Sequence, residues 1–193
     1  VDEMKITVIA TGFDTAAIKT DLQKEDPSYQ IEILDAELIE KLLVEMLKEK
    51  GLTLSCAESC TGGYFGKRIT DISGASSVFL GGFITYSDEM KIKLLGVDKE
   101  TIKNHTAVSA EVAEEMARGA KAITGSDIAI SITGEAGPAP STDKSVGTVF
   151  VGISTPNETY SIKLSISSRR DREYIRKVAG SQAMREIIKK INY

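Results

Sequence analysis

The chain has 193 residues, of which 41% are hydrophobic and 27% are charged, an ordinary balance for a soluble globular protein with a substantial core. Its formal net charge of −4 argues against a general nucleic-acid or membrane surface, and no apolar run approaches the length that spans a bilayer. Cys56 and Cys60 are the only cysteines, too few for a disulfide scaffold and without the companions of a zinc site. With no signal-peptide pattern at the start, we expect both to be free thiols in a reducing cytoplasm.

The first 35 residues predict a small β-α-β unit. A β-branched run over 6–10 and an alternating run over 29–34 predict strands, with a short helix over 15–23 and a turn over 24–28 between them. No catalytic residue stands out in this stretch. We therefore expect residues 1–35 to form an appendage that serves in packing or in contacts between copies.

Helices and strands alternate through the rest of the chain. The predicted helices cover 35–50, 64–71, 87–95, 98–104, 110–124 and 169–191. Asp35 is predicted to cap the first of them, and Ser168 and Asp171 are spaced as a capping box for the last. The predicted strands cover 52–56, 78–86, 127–132 and a hairpin over 148–155 and 159–166. This order predicts an α/β protein, a three-layer α/β/α domain over 36–193 with a mixed sheet.

The most informative stretch runs from Ala57 to Gly63, Ala-Glu-Ser-Cys-Thr-Gly-Gly, between a predicted strand and a predicted helix. A strand that ends in polar and glycine residues ahead of a helix exposes N–H groups that favour an anion. Ser59 and Thr61 add hydroxyls there, and Gly62 allows a ligand to approach the backbone closely. The alternative is an ordinary turn in which a hydroxyl caps the helix and the glycines supply the bend.

Further motifs follow this stretch in a fixed order. They are Asp-Ile-Ser-Gly-Ala-Ser-Ser over 71–77, Gly-Phe-Ile-Thr-Tyr-Ser-Asp-Glu-Met-Lys over 82–91, Leu-Gly-Val over 95–97, Ala-Val-Ser over 107–109, Ile-Thr-Gly-Glu-Ala-Gly-Pro over 132–138, Val-Gly-Thr over 146–148 and Asp171-Arg172. Together they resemble the CinA C-terminal domain family, the PncC-type nicotinamide mononucleotide deamidases, over roughly residue 36 to the end; each alone would be a weak signal.

The resemblance implies an amidohydrolase of pyridine nucleotide salvage. It would convert nicotinamide mononucleotide to nicotinate mononucleotide and ammonia, with no cofactor and no required metal. Family precedent also implies a homodimer or larger assembly. Longer CinA-type proteins carry a region ahead of this domain, and residues 1–35 lie where the tail of that region would be.

The resemblance also implies the members of the site. The matching positions are Ser59, Ser76, Tyr86, Lys91, Thr133 and Arg172. Amide hydrolysis needs a nucleophile, a group that accepts its proton and donors that face the developing oxyanion. We expect a serine to attack while Lys91 and Tyr86 handle protons, in the manner of Ser-Lys hydrolases. Ser76 is slightly preferred because it precedes the Tyr86–Lys91 segment, and Ser59 would then serve the oxyanion or relay a proton.

The substrate phosphate would be held elsewhere in the same site. Arg172, the Thr133-Gly134 pair or the backbone of the Thr61-Gly62-Gly63 turn are the candidates for this role. Without the resemblance, Lys91 would be an ordinary solvated helix residue and Tyr86 a half-buried strand aromatic.

Three features bear on alternative functions. His105, the sole histidine, is typical of a loop or helix end, which argues against a histidine-based triad, and no Gly-x-Ser-x-Gly elbow of an α/β-hydrolase is present. The long loop over 135–147 lacks the glycines common in the family, has Ser145 where a proline is usual, and offers Lys144 as a possible contact. This departure keeps open a non-catalytic nucleotide-binding or assembly module.

Overall fold

The computed structural model describes residues 5–10, 24, 30–35 and 39–192. Its strands are β1 (Lys5–Ala10), β2 (Gln30–Asp35), β3 (Leu54–Glu58), β4 (Phe79–Ile84), β5 (Ile128–Gly134), β6 (Thr148–Ser154) and β7 (Thr159–Ser165). Its helices are α1 (Ile39–Lys50), α2 (Tyr64–Thr70), α3 (Asp88–Leu95), α4 (Lys99–His105), α5 (Ala110–Thr124) and α6 (Arg172–Asn192), with a 3₁₀ turn at Ala75–Ser77.

Five strands form one mixed sheet in the order β4-β3-β5-β6-β7. β3 pairs in parallel with both β4 and β5, whereas β6 and β7 add to the β5 edge as an antiparallel hairpin. Every residue of β3 and all but the last of β5 are buried, as expected for central parallel strands covered on both faces.

Helices cover both faces of this sheet. On one face α1, α2 and α6 pack with Leu43, Phe65 and Ile187 in a shared apolar core. On the other face α3, α4 and α5 pack with Val112 and Met116, one turn apart on α5, against the sheet. The three-layer α/β/α fold with a mixed sheet is therefore confirmed. None of the helices in the described ranges combines the length and apolarity needed to cross a membrane.

One predicted helix start is corrected. The last helix begins at Arg172 and not at 169, because the Arg170 N–H donates to the Ser167 carbonyl in a turn that precedes the helix. The carboxylate that caps it belongs to Asp171, whose Oδ1 accepts from the Tyr174 N–H at 2.7 Å. The capping box with Ser168 does not form. Asp35, predicted to cap the first helix, is the last residue of β2, and residues 36–38 between it and α1 lie outside the described residues.

The two N-terminal strands form a separate two-stranded sheet. β1 and β2 pair in parallel from Lys5 opposite Gln30 to Ala10 opposite Asp35, which is the pairing that a β-α-β unit requires. Lys24, placed in the predicted turn, is helical. The predicted helix over 15–23 and the remainder of the turn lie outside the described residues, and the division into 1–35 and 36–193 stays a prediction.

Candidate active site

A cavity of about 290 Å³ opens where the parallel strands end. Ser59 follows β3, Tyr86 follows β4 and Glu135 follows β5, so three neighbouring strands deliver these side chains to the same edge of the sheet. The carboxyl ends of parallel strands are where α/β proteins usually bind ligands. The lining residues are Ser59, Cys60, Tyr86, Asp88, Lys91, Ala107, Val108, Thr133, Gly134, Glu135, Ala136, Gly137, Ala139, Ser141 and Arg172.

The amino end of α2 already holds an anion, the carboxylate of Glu58. Its Oε2 accepts from the N–H groups of Gly63 and Phe65, both at 3.0 Å, and its Oε1 accepts from the Gly66 N–H at 2.8 Å. Glu58 is 2% exposed, so the chain itself satisfies the N–H groups that the sequence offered to a ligand.

Thr61, Gly62 and Gly63, which the sequence suggested as ligand contacts, do not line the cavity. The Gly62 N–H donates to the Ser59 carbonyl, and the Thr61 carbonyl accepts from the Arg176 guanidinium. The structure therefore gives Thr61, Gly62 and Gly63 a part in shaping the loop, and it places none of them against a ligand in the cavity.

Ser59 lies in the cavity wall with an uncommitted hydroxyl. Its N–H donates to the Ile132 carbonyl at 2.9 Å, which joins the loop after β3 to β5. Its Oγ makes no hydrogen bond to any residue in the described ranges. A serine that lines a cavity and whose hydroxyl is not held by the protein can contact a ligand there, and attack on that ligand also requires a base that takes the hydroxyl proton.

The structure separates Ser76 from Lys91. Ser76 is exposed in the 3₁₀ turn ahead of β4, whereas Lys91 comes after that strand, and Ser76 does not line the cavity. β4 has six residues, a length of about 20 Å at the usual rise per residue. Closeness in sequence suggested a Ser76–Lys91 pair, but β4 lies between the two residues. Ser76 is therefore at the amino ends of the parallel strands, and Lys91 comes after their carboxyl ends. The geometry favours Ser59 over Ser76.

Lys91 is almost completely buried. Only 1% of its surface is exposed, although it lines the cavity, and its Nζ lies 3.7 Å from Asp88 Oδ1 one turn earlier on α3. Burial lowers the pKa of Lys91, and the Asp88 carboxylate only partly opposes this effect. Lys91 is thus no solvated helix residue, and its amine is disposed to lose its proton more readily than a surface lysine.

Arg172 bridges two sides of the cavity mouth. Its Nη2 donates to the Tyr86 hydroxyl at 2.7 Å and its Nη1 donates to the Gly137 carbonyl at 2.6 Å. Tyr86 is 62% exposed, more than the half-buried strand residue that its sequence context suggested, because β4 ends at Ile84. The cation and the phenol therefore form one unit at the entrance.

The remaining hydroxyl and thiol groups of the lining are less suited to attack. Thr133 Oγ1 donates to the Ala107 carbonyl at 2.8 Å, and Ser141 Oγ donates to Glu135. Burial raises the pKa of the Cys60 thiol to about 12, although Arg172 opposes this shift, so the thiolate is scarce near neutral pH. Cys56 and Cys60 are both free and buried, as expected of unpaired thiols.

Sequence reasoning missed Glu135, which organises the loop over 135–147. Its carboxylate is 3% exposed and accepts from the N–H of Ser141 at 2.8 Å, the N–H of Thr142 at 2.8 Å and both of their hydroxyls. Burial alone would raise the pKa of Glu135, but these four donors together hold it below its usual value. An acid directly after a strand, with Ser-Thr six and seven residues later, was the available signal. These hydrogen bonds hold the part of the loop that lines the cavity in place, although the loop lacks the glycines common in the family.

Replacing Glu135 by glutamine is expected to destabilise the protein by about 1–3 kcal/mol at neutral pH, because an amide cannot accept from all four donors. The folded-state pKa of Glu135 is depressed, so its contribution is present above the unfolded pKa and is lost as pH falls through the folded value. Urea unfolding should show a gap between wild type and Glu135→Gln that closes below about pH 4. Glu45→Gln, which removes an exposed ion pair on α1, is the matched control with little expected effect.

His105 and Lys144 lie outside the lining. His105 is the exposed last residue of α4, with Nδ1 3.4 Å from Glu111 Oε1, as expected of a helix-end residue. Lys144 is paired with the neighbouring Asp143 at 2.7 Å. Within the described ranges, no group of three or more His, Cys, Asp or Glu side chains could hold a metal ion.

A family model and two curated relatives all relate this chain to CinA proteins. The family model described as the CinA C-terminal domain matches residues 36–191. A "putative competence-damage inducible protein" of Caldicellulosiruptor saccharolyticus is 49% identical over 83% of this chain and 39% of its own length. A "CinA-like protein" of Geotalea daltonii is 43% identical over 94% of this chain and 45% of its own length. The chain thus spans less than half the length of these two relatives.

Solved structures show the same fold. The competence/damage inducible protein CihA from Agrobacterium tumefaciens is 32% identical, with a TM-score of 0.77 over 82% of this chain and 96% of its own. The competence damage-inducible protein A from Klebsiella pneumoniae is 29% identical, with a TM-score of 0.79 over 83% of this chain and 99% of its own.

Proposed function

This chain belongs to the CinA C-terminal domain family, and on that premise we propose that it hydrolyses the carboxamide of nicotinamide mononucleotide to nicotinate mononucleotide and ammonia. One observation carries the proposal. A buried lysine with a lowered pKa and a serine with an uncommitted hydroxyl, Lys91 and Ser59, line the same cavity. Arg172, at the mouth of that cavity, supplies the cation that a phosphate-bearing substrate needs.

In the proposed first step, Ser59 attacks the carboxamide carbon. The neutral Lys91 amine takes the proton from Ser59 Oγ, and the resulting ammonium gives it to the departing nitrogen, which leaves as ammonia. Water then attacks the Ser59 ester, with Lys91 again as base, and releases the carboxylate and the free serine. Lys91 is suited to both directions of proton transfer because burial brings its pKa down towards the working pH.

The mouth of the cavity is proposed to orient the nucleotide. The Tyr86 oxygen accepts a hydrogen bond from Arg172, which leaves the phenolic proton free to be donated to the substrate or to the leaving group. The Arg172 guanidinium has more N–H donors than its bonds to Tyr86 and Gly137 use, and the remainder can reach a phosphate oxygen. Thr133 holds Ala107 in the wall, and Gly134 lines the cavity without a side chain of its own.

The first test is ammonia release from nicotinamide mononucleotide beside free nicotinamide and an acyclic amide. We expect turnover of the mononucleotide alone, because only this substrate presents a phosphate to Arg172 together with an amide to Ser59. Turnover of all three amides would contradict the assignment of the substrate. Binding of the mononucleotide by folded protein without ammonia release would favour the second candidate, a non-catalytic nucleotide-binding module, which the altered loop over 135–147 motivates.

A further inference from the structure

One acidic side chain of the cavity lining, Asp88, accepts no hydrogen bond from the part of the chain that the structure describes. Of the two lining carboxylates, Glu135 is saturated by Ser141 and Thr142. Asp88 makes a single contact within the described ranges, to Lys91 Nζ at 3.7 Å, which is longer than a normal hydrogen bond. The cap of α3 is supplied by Ser87, whose hydroxyl accepts from the Met90 N–H, so Asp88 is not needed for that purpose.

The working state of the proposed site leaves this carboxylate without a partner. Lys91 acts as a base only when its amine is neutral, and the Asp88 carboxylate then has no positive charge opposite it. The other lining cation, Arg172, is held by Tyr86 and Gly137. The Asp88 side chain is 56% exposed, so water partly screens its charge, but it lines the cavity in which a ligand cation would lie.

The proposed substrate carries such a cation close to the reacting amide. The ring nitrogen of nicotinamide mononucleotide is quaternary, so the pyridinium ring is positive, and the carboxamide is attached to that same ring. The reduced, dihydropyridine form has the same carboxamide, ribose and phosphate but a neutral ring. The two forms differ in ring charge and in the intrinsic reactivity of the carboxamide, and the second difference is the same for every variant, so it cancels when the preference of a variant is compared with that of wild type.

We propose that Asp88 is a specificity-determining residue whose carboxylate selects a cationic pyridinium ring over a neutral ring. This inference rests on the proposed function, since it concerns the ring of the substrate that Ser59 and Lys91 would attack. Two simpler roles for Asp88 make a different prediction. An acid in the first turn of α3, or a neighbour that only adjusts the pKa of Lys91, would affect cationic and neutral substrates equally.

The test compares kcat/KM for the oxidised and reduced mononucleotides in wild type, Asp88→Asn, Asp88→Glu and Glu89→Gln. Glu89 is the exposed neighbour of Asp88 on the same turn of α3 and lies outside the cavity lining. Glu89→Gln removes one negative charge, as Asp88→Asn does, and is therefore the matched control. All rates are taken on the alkaline plateau, where Lys91 is neutral in every variant.

We expect Asp88→Asn to reduce the preference for the oxidised form by about tenfold, the change that one partly screened charge pair produces. Glu89→Gln should keep the wild-type preference, and Asp88→Glu should retain most of it because the charge is restored. An equal fall for both substrates in Asp88→Asn would overturn the inference and leave Asp88 as a neighbour that acts through Lys91.

The proposed function can fail separately from this inference. If wild type releases no ammonia from either form, the deamidase assignment fails, and calorimetric titration with the two mononucleotides replaces the kinetic readout. The ratio of their dissociation constants should still shift about tenfold between wild type and Asp88→Asn. An unchanged ratio would overturn the selection of a cationic ring, and far-ultraviolet circular dichroism checks that each variant is folded.

Discussion

Ser59→Ala is expected to lower the rate of ammonia release from nicotinamide mononucleotide by about 10⁴-fold or more, the scale seen when a hydrolase loses its nucleophile. Ser59 Oγ is the uncommitted hydroxyl of the cavity wall, whereas Thr133 and Ser141 are held by Ala107 and Glu135. Alanine removes only a hydroxyl that makes no hydrogen bond within the described residues, so the fold should be preserved. The measurement is kcat under saturating substrate, with the dissociation constant of the mononucleotide determined in parallel.

Ser76→Ala is the matched control for this prediction. It removes the same atom from an exposed turn ahead of β4, on the opposite edge of the sheet from the cavity, and should leave kcat close to that of wild type. The opposite pattern, with loss of turnover in Ser76→Ala and retention in Ser59→Ala, would contradict the placement of the nucleophile. Tight binding of the mononucleotide by Ser59→Ala would separate lost chemistry from lost affinity.

Local sequence signals predicted most of the fold. α5 has the predicted bounds because Ser109 caps it, with Oγ accepting from the Val112 N–H, and Gly125 ends it in the left-handed conformation. The β6–β7 hairpin and the buried β5 were visible as short apolar runs between turn residues. These features depend on neighbours a few residues apart, which is the range over which sequence patterns are informative.

The candidate site could be predicted only in part. Lys91, Arg172 and Ser59 were expected at one site from their resemblance to family motifs, and the structure does place them around one cavity. The choice between Ser59 and Ser76 depended on which edge of the sheet each one occupies. That is decided by the direction of β4 relative to β3, and no local pattern reports it.

Two of the buried glutamates, Glu58 and Glu135, show why the rest of the site could not be predicted from the sequence. Glu58 and Glu135 lie at or just after the ends of two adjacent parallel strands, and each carboxylate accepts hydrogen bonds from the loop that follows it. In the sequence, Glu58 is part of a motif and Glu135 is part of a polar loop, and neither position indicates its hydrogen-bond partners. Folding brings the Gly63 N–H to Glu58 and the Ser141 N–H to Glu135. The sequence therefore predicted a turn that binds an anion, but it did not predict that the anion is Glu58.

Lys91→Met is expected to separate activity from stability. Methionine keeps much of the length and apolar stem of lysine but has no proton to exchange, so kcat should fall by about 10²–10⁴-fold, the usual contribution of a general base. Within the described ranges, the only acidic contact of the Lys91 amine is the half-exposed Asp88, so burial of this amine is unfavourable, and its removal should raise the free energy of unfolding by about 1 kcal/mol or more. Lys93→Met, an exposed position on the same helix, is the control for both measurements.

The pH dependence gives this prediction its sharpest form. Burial lowers the pKa of Lys91 in the folded state, so between that value and the unfolded value near 10.5 the unfolded chain binds more protons. The stability of wild type should therefore gain a component that rises with pH across this window, and Lys91→Met should lack that component. The base must be neutral, so wild-type kcat/KM should rise with pH through the same lowered pKa. A lysine that stays protonated would give neither slope, and Lys91→Met with wild-type turnover would exclude Lys91 as the base.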